Sequence, residues 1–123
     1  MSFSFTGIHH VQLAAPPGSE EVARKFFVGI LGFEEIEQPE PMKIRGGVWF
    51  GFGNYHLHIG IEEPFSPAKK AHPAFEVKNI EALKIHLAEN NISFIVDTDY
   101  PGVNRIYIED PWGNRVEILE KCM

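Results

Sequence analysis

Hydrophobic and polar residues alternate with a period of two in several short runs, and two stretches with a period near 3.6 interrupt them. Residues 8–14 read as a strand, with Val11 and Leu13 facing one way and His10, Gln12 and Ala14 the other. Pro16-Pro17-Gly18 ends that strand. Ser19 then suits a helix N-cap, and Glu20 and Glu21 suit the positive end of the helix dipole. Val22, Phe26, Phe27 and Ile30 follow at helical spacing, with Gly32 placed to end the helix. A short strand over 33–37 precedes a loop, Gln38-Pro39-Glu40-Pro41. Strands over 47–52 and 55–61 are joined by the turn residues Gly53-Asn54. The order is β-α-β-β-β.

Residues 62–71, with two prolines and two lysines, read as a linker in which Lys69 and Lys70 are solvated. The same order then returns. A strand over 72–77 leads to Asn79, which caps a helix carrying Ile80, Leu83 and Leu87 on one stripe. Short strands over 93–97 and 104–109 flank the loop Tyr100-Pro101-Gly102, and Asp110-Pro111-Trp112-Gly113-Asn114 turns into a last strand over 115–120. The fold class is α+β, with two βαβββ modules whose mixed sheets carry helices on their outer face. We expect one domain over 1–123 with modules at 7–62 and 72–120. A period of about 60 residues marks a duplication, not a solenoid array.

The duplication aligns chemistry as well as pattern. His10 and His58 are 48 positions apart, and His72 and Glu117 are 45 apart. Each lies on the first or last strand of its module. Counting in twos puts His56, His58 and Gly60 opposite Leu57, Ile59 and Ile61. Likewise His72, Ala74 and Glu76 oppose Phe75 and Val77, and Arg115, Glu117 and Leu119 oppose Val116 and Ile118. A sheet with one solvated face also alternates in this way. Such faces favour Lys, Glu, Thr and Ser, however, over histidines at repeat-equivalent positions. On facing alone, a solvated face and a divalent-metal site stand level. Imidazole and carboxylate together suit Zn, Ni, Co, Fe or Mn without choosing among them.

Composition narrows the picture. At 44% hydrophobic and 23% charged residues, with ten Phe, the 123-residue chain can bury a core. A net charge of -6 gives no electrostatic reason to bind nucleic acid or an anionic membrane. No secretion signal is visible at the start, and the longest apolar stretch, 26–33, is too short to span a bilayer. The lone Cys122 excludes an internal disulfide and reads as an incidental exposed thiol. A cytoplasmic protein is expected. No phosphate-cradling glycine loop and no Ser-His-Asp order stands out.

The segments Ile8-His9-His10-Val11-Gln12-Leu13, Tyr55-His56-Leu57-His58-Ile59 and Ala71-His72-Pro73-Ala74-Phe75 carry a resemblance, strongest at Asp110-Pro111-Trp112-Gly113-Asn114-Arg115-Val116-Glu117. Over nearly its whole length the chain resembles the glyoxalase/bleomycin-resistance/dioxygenase superfamily, the vicinal oxygen chelate proteins. The resemblance implies that two βαβββ modules form a cup and that each gives one metal ligand from its first strand and one from its last. On this chain those are His10 and His72, then His58 and Glu117. Glyoxalase I carries a glutamate where His58 stands, and methylmalonyl-CoA epimerase a glutamine. Glu117 is therefore left as the ligand able to double as a base. Fosfomycin-modifying relatives use a His, His, Glu set, in which His58 would be an extra ligand or a pocket residue. Bleomycin-binding relatives lack the ligands.

The resemblance implies a divalent-metal-dependent lyase or isomerase acting on a small-molecule substrate that chelates the metal through adjacent oxygens. The metal would stabilise an enolate while Glu117, or a metal-bound water, moves the proton. A homodimer is expected. Gln12, Trp49, His56, Arg105 and Tyr107 are candidate pocket residues, with strand packing the plainer role of the aromatics. His56 is equally a partner of the site or a solvated strand-end residue. His9 is expected to pack at the core or strand edge, and His86 to lie on a solvated helix face. Two rivals remain. One is a metal-free protein that shields a toxin or antibiotic. The other is an Fe-dependent ring-cleaving dioxygenase, which a fourth protein ligand at His58 would crowd.

Overall fold

Alternation becomes sheet in both halves. The computed structural model describes residues 2–122, and the chain divides into two compact units, Met1–Glu63 and Pro64–Met123. The first holds β1 (Val11–Ala15), α1 (Glu20–Ala23) continued by a π-helical segment (Arg24–Ile30), β2 (Glu34–Ile36), α2 (Glu40–Lys43), β3 (Val48–Phe52) and β4 (Tyr55–Ile61). The second holds β5 (Ala74–Glu76), α3 (Ile80–Glu89), β6 (Ile95–Asp97), β7 (Val103–Glu109) and β8 (Arg115–Lys121).

Each unit is one four-stranded sheet, in order β1-β4-β3-β2 and β5-β8-β7-β6. The first strand runs parallel to the last in both, while the remaining pairs are antiparallel. The mixed α+β architecture expected from the pattern is therefore present. Parallel pairing of first and last strands matters for function, because it sets the leading end of β1 beside β4 and that of β5 beside β8.

One face of each sheet is apolar. In the first unit Leu13, Phe50, Leu57 and Ile59 are buried with Ala23, Phe26 and Phe27 of the helical segment. In the second, Ile106, Ile108, Val116 and Ile118 are buried with Ile80 and Leu87 of α3. The register pairs Phe50 with Leu57 and Ile106 with Ile118, so apolar neighbours meet across the ladders.

Several local expectations need correction. The first helix changes to a wide π turn, closed by the Leu31 amide donating to the Phe26 carbonyl at 3.0 Å. The wider turn lets the adjacent Phe26 and Phe27 both point inward, while Val22, expected on the buried stripe, is 45% exposed. Ser19 precedes the helix, but its side chain makes no capping bond, and its hydroxyl is buried without a partner. The stretch expected as a loop at 38–41 runs into the short helix α2, whose first turn tolerates Pro41 because proline lacks only an N–H that no helical carbonyl would accept there. Asn79 does cap α3, its side chain accepting from the Ala82 amide at 3.2 Å. Glu120 adds a carboxylate to the same end, accepting from the Asn79 and Ile80 amides. Among the described residues no helix is long and apolar enough to cross a membrane.

Candidate functional site

Each unit presents a histidine just ahead of its first strand to a buried polar side chain on its last. In the first unit His10 stands at the head of β1, and Gln12 is in register with His58 of β4. Trp49 of β3 is the register partner of His58 on its other side. The His58 imidazole is sandwiched as a result. Its ring lies 3.7 Å from that of Trp49, parallel within 1°, and 4.1 Å from that of His10.

This stack makes His58 unusual for a histidine. It is only 4% exposed, and its Nε2 is buried with no hydrogen-bond partner. Burial, followed by the positive charges that His10, His56 and His9 would carry, pushes its pKa down to about 4. The ring is neutral near pH 7, with a lone pair available on one nitrogen. A buried polar atom left unsatisfied costs on the order of 1–3 kcal/mol, so such an atom calls for a polar partner, whether water or ligand.

His9 and His56 border the stack. The Nδ1 atoms of His9 and His10 are 3.0 Å apart, and the rings of His9 and His56 lie edge to face. The expectation that His9 packs into the core or along the strand edge is not met; it is exposed beside the other histidines. The strand ladder begins only at Val11, so alternation does not govern residues 8–10. Gln12 is exposed, and its amide covers Gly60, where any Cβ would collide with it.

The second unit builds a different pair in matching places. His72 stands ahead of β5, and Glu117 of β8 is 4% exposed. The His72 Nδ1 lies 2.8 Å from the Lys70 carbonyl. A carbonyl only accepts, so Nδ1 must carry the hydrogen. In the neutral ring the lone pair then sits on Nε2, which is 3.0 Å from Glu117 Oε1. Two acceptors face each other, and only a shared proton or a cation reconciles them. Two donors each about 2.1 Å from one ion and at right angles would stand about 3.0 Å apart, so the pair has a spacing a metal could use. Carbonyl support of the opposite ring nitrogen is also how ligating histidines are commonly oriented.

Glu117 is held from the other side as well. Its Oε2 is 3.5 Å from Arg105 Nη1, while Arg105 Nε and Nη2 donate to Asp97 Oδ1 at 3.1 and 3.0 Å. The Asp99 amide and then Arg105 hold the Asp97 carboxyl below the usual range. Tyr107, in register with Glu117, places its ring edge-on to His72 at 5.6 Å. A cleft of about 300 Å³ is lined in part by Arg105, Asp97, Tyr100 and Lys84. Of the expected pocket residues, Arg105 lines this cleft, Tyr107 stands beside His72, Trp49 is part of the first-unit stack, His56 borders it, and Gln12 lies over Gly60 in register with His58. His86 lies on α3, half-buried and apart from these clusters.

The Asp110–Asn114 turn positions β8. Asp110 is buried, accepting from the Trp112 and Asn114 amides and from Asn114 Nδ2. Asn114 Oδ1 accepts from the Ala68 amide. Gly113, at φ +94°, takes the left-handed turn that other residues resist. Burial raises the Asp110 carboxyl above its ordinary value despite these donors. The Asp110–Asn114 part of the motif that carries the sequence resemblance is thus a structural clasp at the start of β8, three positions ahead of Glu117.

Two mixed sheets of matching strand order, one carrying the His10–His58 stack and the other the His72–Glu117 contact, define a two-module α+β protein. The chain belongs to the Glyoxalase/Bleomycin resistance protein/Dioxygenase superfamily, whose family model matches residues 7–118. It is similar to the crystal structure of a protein from Bacillus anthracis described as a glyoxalase family member, at 50% identity and a TM-score of 0.95, covering 98% of this chain and 99% of that one. Lactoylglutathione lyase from Agrobacterium tumefaciens shares the fold at 21% identity and a TM-score of 0.73, covering 94% of this chain and 93% of that one. So does the fosfomycin resistance protein FosX of Listeria monocytogenes, at 15% identity and 0.74, covering 98% and 97%. No curated protein matches the chain. Among the described residues no group of three or more His, Cys, Asp or Glu side chains stands ready to hold a metal ion.

Proposed function

We propose that this chain is a divalent-metal-dependent lyase or isomerase acting on a small molecule that presents adjacent oxygens. One observation carries the reading. His72 donates through Nδ1 to the Lys70 carbonyl and presents Nε2 to Glu117 Oε1 at 3.0 Å. The orphaned Nε2 of the neutral His58 supports it from the first unit. The residues that would hold a divalent ion are, within the first unit, His10 and His58 and, within the second, His72 and Glu117. When bound, a divalent ion supplies Lewis-acid stabilisation of negative charge developing on substrate oxygens.

The remaining work falls to the chain. Glu117 is the carboxylate placed to take or return a proton on a carbon next to the chelating oxygens. Arg105 steadies its second oxygen, and Tyr107 limits the space beside His72. Trp49 fixes the plane of His58 and screens it from water, which keeps that ring neutral. The kinship with a lactoylglutathione lyase is one of fold, and the histidine at 58 makes a different substrate the better expectation.

The test is solvent deuterium incorporation by the metal-loaded protein across α-keto hemithioacetals, CoA thioesters and catechols. Exchange next to a carbonyl, abolished by Glu117→Gln, is the expected result. Turnover without exchange, or oxygen uptake with a catechol, would contradict it.

A further inference from the structure

The open face of the second sheet carries a cation, Arg115, whose charge reaches the Asp97 carboxyl but which makes no ion pair among the described residues. Arg115 begins β8, two residues before Glu117, and two residues along a strand span about 7 Å. Its backbone amide is fixed by the Ala68 carbonyl at 2.9 Å. Its guanidinium lies over the Tyr107 ring, 4.1 Å from the centroid, while Arg105 stands 5.2 Å from the same centroid. The phenol ring thus has two guanidinium neighbours and faces His72 with its edge.

The two arginines differ in their commitments. Arg105 has Asp97 and Glu117. Arg115 has no ion pair among the described residues, and its register partner Glu109 is exposed without one. A half-buried guanidinium held by stacking keeps its N–H fork free and has already lost much of its rotamer freedom. Such a group is ready to take a carboxylate or phosphoryl oxygen pair through two parallel hydrogen bonds.

We infer that Arg115, stacked on Tyr107, is an oxyanion-binding residue that selects substrates carrying a separate anionic group a few bonds from their chelating oxygens. This rests on reading the His72–Glu117 pair as part of the substrate site. The substrate class becomes a small 2-oxo compound with a distal carboxylate or phosphoryl group.

Three probes with one chelating end test this: 2-oxoglutarate, 2-oxo-4-phosphonobutanoate and 2-oxopentanoate, which lacks the distal charge. Calorimetry on the metal-loaded protein should show at least one anionic probe binding about tenfold tighter than 2-oxopentanoate. The tighter of the two identifies the oxyanion. Arg115→Gln should abolish the preference without changing 2-oxopentanoate affinity, and Arg115→Lys, which keeps charge and stem, should restore part of it. Equal affinities in the wild type, or a preference that survives in Arg115→Gln, would overturn the assignment. Failure of the loaded protein to bind any of the three would overturn the substrate class while sparing the metal reading. Should the protein take up no metal, the metal reading falls separately. Binding of 2-oxoglutarate to that metal-free protein, lost in Arg115→Gln, would still support the arginine, and its absence would refute it.

Discussion

His58 makes the metal-free protein sensitive to mild acid in a way that one substitution can isolate. Its pKa falls from the ordinary 6.5 to about 4 in the folded chain. Well above pH 6.5 the ring is neutral in both folded and unfolded states and contributes no pH dependence. Below 6.5 the unfolded ring gains a proton that the buried ring refuses until about pH 4, so stability drains away as pH falls through that window. Between pH 7 and pH 5 the loss from this one group is about 2 kcal/mol. His58→Gln cannot titrate. It also loses the Trp49 stack, so its absolute stability will differ, and only the slope with pH is informative. Urea midpoints of chelator-dialysed protein at pH 7, 6 and 5 provide the comparison. The wild type should lose about 2 kcal/mol more than the variant across that range. Parallel slopes would show that His58 titrates normally and that the stack does not bury it as described.

Asp110→Ala should cost about 3 kcal/mol in urea unfolding, because it strands two amides and the Asn114 Nδ2 in a buried turn. Asp110→Asn, which keeps an acceptor, should cost less. Gly47→Ala should lower stability by about 2 kcal/mol or more in a thermal melt, since φ is +84° and the new Cβ would run into the Ile59 carbonyl. Gly53→Ala, at φ +56° with nothing within 4 Å of a Cβ, should cost only about 1 kcal/mol, and equal losses at the two positions would remove the steric argument.

The sheets were legible because each ladder has one buried face, which forces strict alternation on Leu13, Leu57, Ile59, Val116 and Ile118. The same counting put His58 and Glu117 on the opposite face. Both prove buried there too, because Trp49 and His10 cover one and His72 and Arg105 border the other. Burial on the second face follows from cross-strand neighbours, which a one-dimensional pattern does not contain. The π turn was hidden because Val22, Phe26 and Ile30 keep α-helical spacing, and only packing decides that adjacent phenylalanines both turn inward. Arg105 was visible as a candidate, but its link from Asp97 to Glu117 depends on register across β6, β7 and β8. The free guanidinium of Arg115 left no mark in the sequence, where it looks like one more charge in a strand.

The proposed role of His10, His58, His72 and Glu117 is to hold a divalent ion, and metal content tests that proposal most directly. Protein purified without a His-tag, equilibrated with Zn, Ni, Co, Fe or Mn and then desalted, should retain a stoichiometric ion. His72→Ala should lose it, while the control His86→Ala on α3 should keep it. A wild type that retains no ion, or a His72→Ala variant with unchanged content, would contradict the metal site at its root.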